Sequence, residues 1–507
     1  MKPNILLITG DHTRSDVLAA TDGTNGSASL APHIRMPNVE QLAADGLGYR
    51  HCFSPNPICV PARAAITTGR YPHRCTGVKT MSGRIGDDQP KLAEHFSRHG
   101  YTTTAIGKLH YVPYAPPDEP RLLHGFQYAE LCEEGRAVGQ FDPHGKSTGI
   151  EDYHDFLKQV GWGGYERSHG VGNNDVHPGP VPFPAEYHEE AWVASRAIHR
   201  IQHHTEHHRE QPFMLWASFT KPHPPYDPPE PWNRMYDPRN MPAPIAGEDD
   251  TILIGRDAEL ARRRDWYAWN TLSKEAVQVI RAHYAGMMSF QDAMIGRIIG
   301  HLKQAGLYEN TIIIYTADHG DLLGDFGCFF KSCMFDASVK VPFVLRAPQV
   351  PTEQRGQSRD QLIGLQDILP TLCSLAGVPA IDDLDGRDLS PTFDHSDPDF
   401  RDCIVSQTGG PPMQKCMLRT NQWKYVYCQV EGTEELYDVT RRDAERQNLA
   451  EDAAYGQTLA DLRRRLIEWC RANGDEAMLD GDQLAVSSAD ELPPAEVQPR
   501  VFGWRRY

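Results

Sequence analysis

No apolar run in this chain approaches the roughly 20 residues a membrane-spanning helix requires. The sequence opens almost at once into a short strand-like stretch, with no charged n-region and apolar h-region of a signal peptide before it. A membrane partner is therefore not expected. A basic excess is lacking too: 51 Lys and Arg stand against 68 Asp and Glu, a formal charge of −17. That balance argues against nucleic acid as a partner. It also disfavours long polyanionic polymers unless a local basic groove intervenes. The 11 cysteines are odd in number and show no metal-ligand spacing, which gives neither a disulfide framework nor a zinc site. Reduced cysteines and a cytoplasmic location are expected unless a leader has been removed. Internal repeats and low-complexity tracts are absent. The run His203-His204-Thr205-Glu206-His207-His208 lacks the His-Glu-x-x-His order of a helix-borne zinc site and reads as a solvated helix face.

What is present begins with length, since 507 residues exceed one ordinary core and suggest two units. Apolar runs near residues 4–8, 101–106, 212–219 and 311–317 alternate with helical patterns as far as about residue 348. One such helix spans Lys274 to Gly306, with Val277, Ile280, Tyr284, Met287, Ile295, Ile298 and Leu302 on one face. The expected fold class is α/β, with a large, mostly parallel central sheet covered by helices on both faces over residues 1–400. Catalytic groups belong at the C-terminal ends of its strands. From Asp402 the texture changes. Met417 to Thr420, Lys424 to Gln429 and Leu436 to Val439 read as antiparallel strands, and Leu459, Leu462, Leu466 and Trp469 mark a closing helix. Residues 401–507 thus form a smaller α+β subdomain, ending in an acidic, proline-containing extended tail through which the chain could form a homo-oligomer.

Two apolar runs end in groups able to hold a cation. Asn4-Ile5-Leu6-Leu7-Ile8-Thr9-Gly10-Asp11 delivers a carboxylate, and Thr311-Ile312-Ile313-Ile314-Tyr315-Thr316-Ala317-Asp318-His319 delivers a carboxylate and an imidazole. A lone aspartate after a strand is often only a helix cap; the company these residues keep raises their standing. Cys59-Val60-Pro61-Ala62-Arg63 carries the Cys-x-Pro-x-Arg pattern for oxidation of cysteine to formylglycine. Chemistry explains the demand. A thiolate is repelled by sulfate oxygens and gives an adduct with no easy exit, whereas an aldehyde hydrate attacks with one hydroxyl and expels sulfate by deprotonating the other. Pro61 suits a first helical turn, so residue 59 should sit at a helix N-terminus, where backbone N–H groups favour an anion.

The flanking run through Thr67-Thr68-Gly69-Arg70-Tyr71-Pro72 resembles the signature of the formylglycine sulfatases, within the alkaline-phosphatase-like superfamily. Four further motifs follow in the family's order. Gly107-Lys108-Leu109-His110 resembles Gly-Lys-x-His, and Lys221-Pro222-His223-Pro224 the Pro-His-x-Pro loop. Asp318-His319-Gly320 and the run Gly320 to Gly327 followed by Lys331 complete the set. Asp11-His12-Thr13-Arg14-Ser15-Asp16 is similar to the choline-sulfatase and phosphonate monoester hydrolase branch rather than to the twin-aspartate form, which leaves His12 unassigned. The resemblance implies one divalent cation held by Asp11, Asp318, His319 and modified Cys59, with calcium the family expectation and manganese or magnesium kept open by the imidazole. It implies Lys108 on a sulfate oxygen, His110 as the base of the elimination, His223 toward the leaving group and Lys331 on the bridging oxygen, with Arg63 completing the nucleophile motif. Lys108 and His110, two apart on an extended segment, should point the same way. The irregular segment from Leu131 to Val181 should line the pocket.

The implied activity is sulfate monoester hydrolysis on a small-molecule or saccharide ester, after maturation by a formylglycine-generating enzyme. One rival is a phosphonate monoester or phosphodiester hydrolase of the same superfamily, which shares the nucleophile but replaces the Lys-x-His element by hydroxyl residues. Lys108 and His110 discriminate against it. A non-catalytic binding protein on this fold would show a broken catalytic position, and only His12 departs from the pattern.

Overall fold

The computed structural model describes residues 2–23, 29–75, 84–110, 119–141, 148–165, 168–245, 257–394, 400–441, 444–488 and 490. Its main sheet has nine strands among the described residues: β1 (Asn4–Gly10), β2 (Leu47–Phe53), β3 (Thr102–Gly107), β4 (Tyr128–Leu131), β5 (Phe213–Ser218), β6 (Thr311–Ala317), β7 (Lys340–Val341), β8 (Phe343–Arg346) and β9 (Gln357–Gly364). The order is β4-β3-β5-β1-β6-β8-β2-β7, with β9 also on β2. From β4 to β6 every pair is parallel; β8 runs antiparallel to both β6 and β2, and β9 pairs β2 in parallel. The mostly parallel α/β sheet expected from the sequence is present.

Central strands show why. All seven residues of β1 are buried, with Leu6 and Ile8 in the core on one face and Ile5 and Leu7 in the core on the other. Period-two alternation then divides apolar residues between two faces instead of between core and solvent. On one face lie α2 (Glu189–His207) and α4 (Lys274–Gln304), and on the other α1 (Cys59–Thr68) and α5 (Ile368–Ala376). Ser273 caps α4 by accepting the N–H of Ala276 at 3.2 Å.

A separate antiparallel sheet runs β10 (Ile404–Thr408), β11 (Lys415–Arg419), β12 (Trp423–Cys428) and β13 (Thr433–Asp438). Helix α6 (Gly456–Asn473) packs Leu459, Leu462, Leu466 and Cys470 onto it. Strand β10 escaped the sequence reading because its apolar pair Ile404-Val405 is followed by Ser406-Gln407-Thr408 and no alternation marks it. The start of the acidic tail also differs from expectation. Leu479–Asp480 pairs with Gln483–Leu484, Met478 and Leu484 are buried, and Ser487 bridges Val430; isolated apolar residues in a polar stretch give no periodic signal. The remainder of the tail, residues 491–507, with the proposed oligomer contact, lies outside the described residues. No described helix is long and apolar enough to cross a membrane. In the histidine-rich run at the end of α2, His204 is buried, facing Thr102 and the Gln211 carbonyl, and the other histidines are exposed or half-buried.

Arg14, fully buried, ties the loop after β1 to the loop after β6. It donates to both oxygens of Asp16 at 2.8 Å, to Asp325 Oδ2 at 2.7 Å and to the carbonyls of Asp321 and Leu322. Arg14→Leu leaves the buried Asp16 carboxylate without its cation and should cost about 3–5 kcal/mol. Urea denaturation measures this; a loss below about 1 kcal/mol, the range of an exposed ion pair, would contradict it.

Candidate active site

Five adjacent parallel strands, β4 to β6 in sheet order, end at one edge, and each is followed by a polar side chain turned into the same space. Asp11 follows β1, Lys108 follows β3, Glu133 and Glu134 follow β4, His223 follows β5, and Asp318 and His319 follow β6. The crossing is tight. A Cβ on Gly107 (φ +99°) would lie 1.9 Å from the Ser218 carbonyl oxygen, so only glycine fits where β3 meets β5. Extended geometry ends there. His110 has φ +58°, so the period-two argument does not reach it: Lys108 meets Asp11 and Glu134 at the base of the site, and His110 lines the cavity.

Cys59 opens α1 with an extended residue, Ile58, before it. Its Sγ lies 3.2 Å from His319 Nε2, 3.5 Å from Asp11 Oδ1 and 3.0 Å from Lys331 Nζ. Burial, reinforced by the Asp11 charge, pushes the thiol up to about 11. As a thiol it is therefore protonated and a poor nucleophile at neutral pH. One turn on, Arg63 donates to Asp318 Oδ2 at 2.8 Å, to the Lys108 carbonyl at 2.6 Å and to Ser218 Oγ at 2.7 Å. Arg63 thus joins three strand ends beneath residue 59.

Ligand-type atoms of Asp11, His12, Cys59 and His319 all lie within 4.8 Å of one another, and Asp318 Oδ1 is 3.7 Å from His319 Nε2. His319 gives its Nδ1 proton to the Gly320 carbonyl at 2.9 Å, which aims the Nε2 lone pair into the cluster, the posture of a metal-bound imidazole. Asp11 Oδ2 forms an ion pair with Lys108 but lacks a hydrogen bond of proper geometry. These features fit a divalent cation with oxygen and imidazole donors. Burial would raise the Asp11 carboxyl, yet the Lys108 ammonium beside it holds it well below the usual range. His12 donates from Nδ1 to Asp321 at 2.8 Å and accepts from Lys331 through Nε2 at 2.5 Å.

Glu134 is the participant the sequence reading missed. Fully buried at φ +57°, it accepts from Lys108 Nζ at 3.0 Å, pairs with Arg136, and lies 3.3 Å from His223 Nδ1. Burial opposes its charge, but the charges of Lys108 and Arg136 hold its carboxyl well below the usual range. Arg136 donates to His223 Nε2 at 3.3 Å. Burial depresses His223 to about 3 and also depresses His110, so both rings are neutral at ordinary pH. A signal existed: Glu133-Glu134-Gly135 follows the end of β4 after one residue, Cys132, much as Asp11 follows β1.

Above Cys59 opens a cavity of about 350 Å³. His110, His223 and Lys331 border it, as do Arg136 and Asn174 from the irregular segment. Its far wall is α3 (Ala258–Trp266) with Tyr267, which sequence reading passed over.

The sulfatase family model matches residues 3–378, and that of the N-sulphoglucosamine sulphohydrolase C-terminal region matches residues 324–472. The chain belongs to the sulfatase family and is a sulfuric ester hydrolase; a divalent metal and a formylglycine are general to that family. An arylsulfatase of Clostridium perfringens (strain 13 / Type A) is 28% identical over 497 residues, covering 96% of this chain and 97% of that protein. A choline-sulfatase of Rhizobium meliloti (strain 1021) is 27% identical over 469 residues, covering 89% and 83% respectively. Among solved structures, a phosphonate monoester hydrolase from Silicibacter pomeroyi aligns with TM-score 0.78 at 24% identity, covering 96% of this chain and 99% of that one. That likeness concerns the fold alone.

Proposed function

We propose that Cys59 is the precursor of the formylglycine nucleophile, within a catalytic unit of residues 1–400 joined to a C-terminal unit of residues 401–507. The observation that carries this is the position of Cys59 at the head of α1, within 3.5 Å of Asp11, His319 and Lys331 together. Asp11, Asp318, His319 and residue 59 would hold one divalent cation, calcium by the weight of oxygen donors, with manganese and magnesium as competitors. Bound there, the cation supplies positive charge to the sulfate oxygens and acidifies the attacking hydroxyl.

The chain's own groups then divide the work. One hydroxyl of hydrated residue 59 gives up its proton and bonds to sulfur as the ester S–O bond breaks, and that proton passes to the departing alcohol oxygen. The other gives its proton to His110; a C=O bond forms at that carbon, the C–O bond to the sulfated oxygen breaks, and sulfate leaves. Lys108 and Lys331 offset charge on the transferred group and the bridging oxygen. His223, with Arg136 on its Nε2, stands on the leaving-group side. Glu134 positions Lys108 and His223, and Arg63 positions Asp318. Sulfate released from 4-nitrophenyl sulfate, with a far lower rate on a 4-nitrophenyl phosphonate ester, is the expected result; the reverse order would favour the phosphonate hydrolase reading.

An elimination base must be unprotonated, and burial lowers the His110 pKa. It therefore stays neutral as pH falls past the ordinary imidazole value, and the acid limb of kcat should lie below about 6.5. A pH profile with an acid limb at or above that value would remove His110 from this role. Saccharide sulfate esters are the proposed substrate class, in keeping with the named activities of several relatives, such as an N-acetylglucosamine-6-O-sulfatase of Bacteroides thetaiotaomicron. Maturation would need a formylglycine-generating enzyme. Among the described residues no disulfide is formed, which supports a cytoplasmic location.

A further inference from the structure

We propose that the far wall of the cavity is a subsite for a sugar ring carrying a second anionic group, a carboxylate or a further sulfate, beside the ester that is cleaved. This rests on the sulfatase reading above and narrows its substrate class.

The wall has two chemical faces. On α3 and the residue after it, Arg262 and Trp266 are four apart, as are Arg263 and Tyr267, so all four share one side. Ala268 adopts φ +53° and turns the chain back, which gathers the rings. Tyr267 stacks on Trp269 with centroids 4.8 Å apart and planes 8° from parallel, and lies 5.4 Å from Trp266. Yet Tyr267 remains 40% exposed and borders the cavity. A rigid aromatic platform left open inside a polar cavity offers an apolar face to a ring with polar edges.

The second face is charge. In a chain of formal charge −17, the described cavity lining carries Arg136, Arg262, Arg263 and Lys331 against one carboxylate, Glu259. Glu259 is itself bonded to Arg263 and, at 3.1 Å, to Lys415. Arg263 donates to the Lys331 carbonyl at 3.0 Å, which fixes its guanidinium against the wall. Chemistry at Cys59 accounts for Lys331, and Arg136 serves His223 and Glu134. The arginines of α3 have no part in that chemistry. Guanidinium groups pair with carboxylate and sulfate oxygens through directed N–H donors, and they disfavour a cationic alcohol such as choline. The basic groove that a polyanionic substrate would require, absent from the overall composition, is thus assembled locally.

The test is a substrate panel with the formylglycine-bearing, metal-loaded enzyme: 4-nitrophenyl sulfate, choline sulfate, the positional glucose monosulfates, the matching glucuronate monosulfates and the glucose disulfates. The best acidic sugar should exceed the best neutral sugar in kcat/KM by about tenfold or more, the worth of one charge-assisted contact, and chiefly through KM. The glucuronate and disulfate arms decide between carboxylate and sulfate. Arg262→Gln should remove most of that ratio, and Trp266→Ala should raise KM for neutral and acidic sugars alike. Equal values for neutral and acidic sugars, a preference for choline sulfate, a ratio that survives Arg262→Gln, or turnover of 4-nitrophenyl sulfate with no sugar hydrolysed would each overturn the proposal. If even 4-nitrophenyl sulfate is untouched, the sulfatase reading falls first and this inference with it.

Discussion

Cys59→Ala should lower turnover by about four orders of magnitude or more, by analogy with other covalent catalysts that lose their nucleophile, while the protein stays folded. In the proposed mechanism residue 59 supplies the group that bonds to sulfur. Its side chain is fully buried at the first position of α1, and alanine is shorter by one atom and favours helix, so the helix start survives. The stability cost is that of a small truncation beside charged groups. Sulfate-release kinetics and thermal unfolding, measured together, separate the two effects. A variant that keeps a tenth of wild-type turnover would place the nucleophile elsewhere.

Asp318→Asn should remove metal and activity together. One carboxylate oxygen accepts from Arg63 at 2.8 Å and the other from the His319 N–H at 2.9 Å, so an amide keeps the shape but withdraws the charge. Two consequences follow. The proposed cation would lose one of its two carboxylate ligands, and the buried Arg63 guanidinium loses its nearest counter-charge, with Asp11 Oδ2 3.9 Å away. Loss of activity by about 100-fold or more is expected, with a matching fall in bound metal, since ligand affinity and charge neutralisation are linked. Elemental analysis before and after chelation provides the measure. Full activity in a chelator-treated, metal-free protein would contradict the assignment.

The legible part of this protein is the part where chemistry forces a local signature. Parallel strands buried on both faces read as apolar runs, and although a carboxylate directly after such a run is often only a helix cap, Asp11 and Asp318 were visible through the motifs that accompany them. Cys59 and Arg63 were visible because an enzyme-recognised pattern is contiguous. Glu134 was hidden, although it follows β4 much as Asp11 follows β1, because Tyr128–Leu131 is only four residues long and its first residue is exposed. The wall of Arg262, Arg263, Trp266 and Tyr267 was hidden for a different reason. A helix rich in arginine and aromatic residues is ordinary on a surface, and only the fold, which brings α3 over the ends of strands far away in sequence, turns that surface inward. His110 shows the converse. Its identity was legible and its orientation was not, since a positive φ after Gly107 breaks the strand rule that the sequence invites.

The most direct test of the whole account is the chemical state of residue 59 in protein that is demonstrably active. Peptide mass spectrometry of enzyme turning over 4-nitrophenyl sulfate should show the peptide spanning residue 59 with an aldehyde in place of the thiol, in a fraction that tracks specific activity from one preparation to another. Fully active enzyme whose Cys59 remains an unmodified thiol would contradict it.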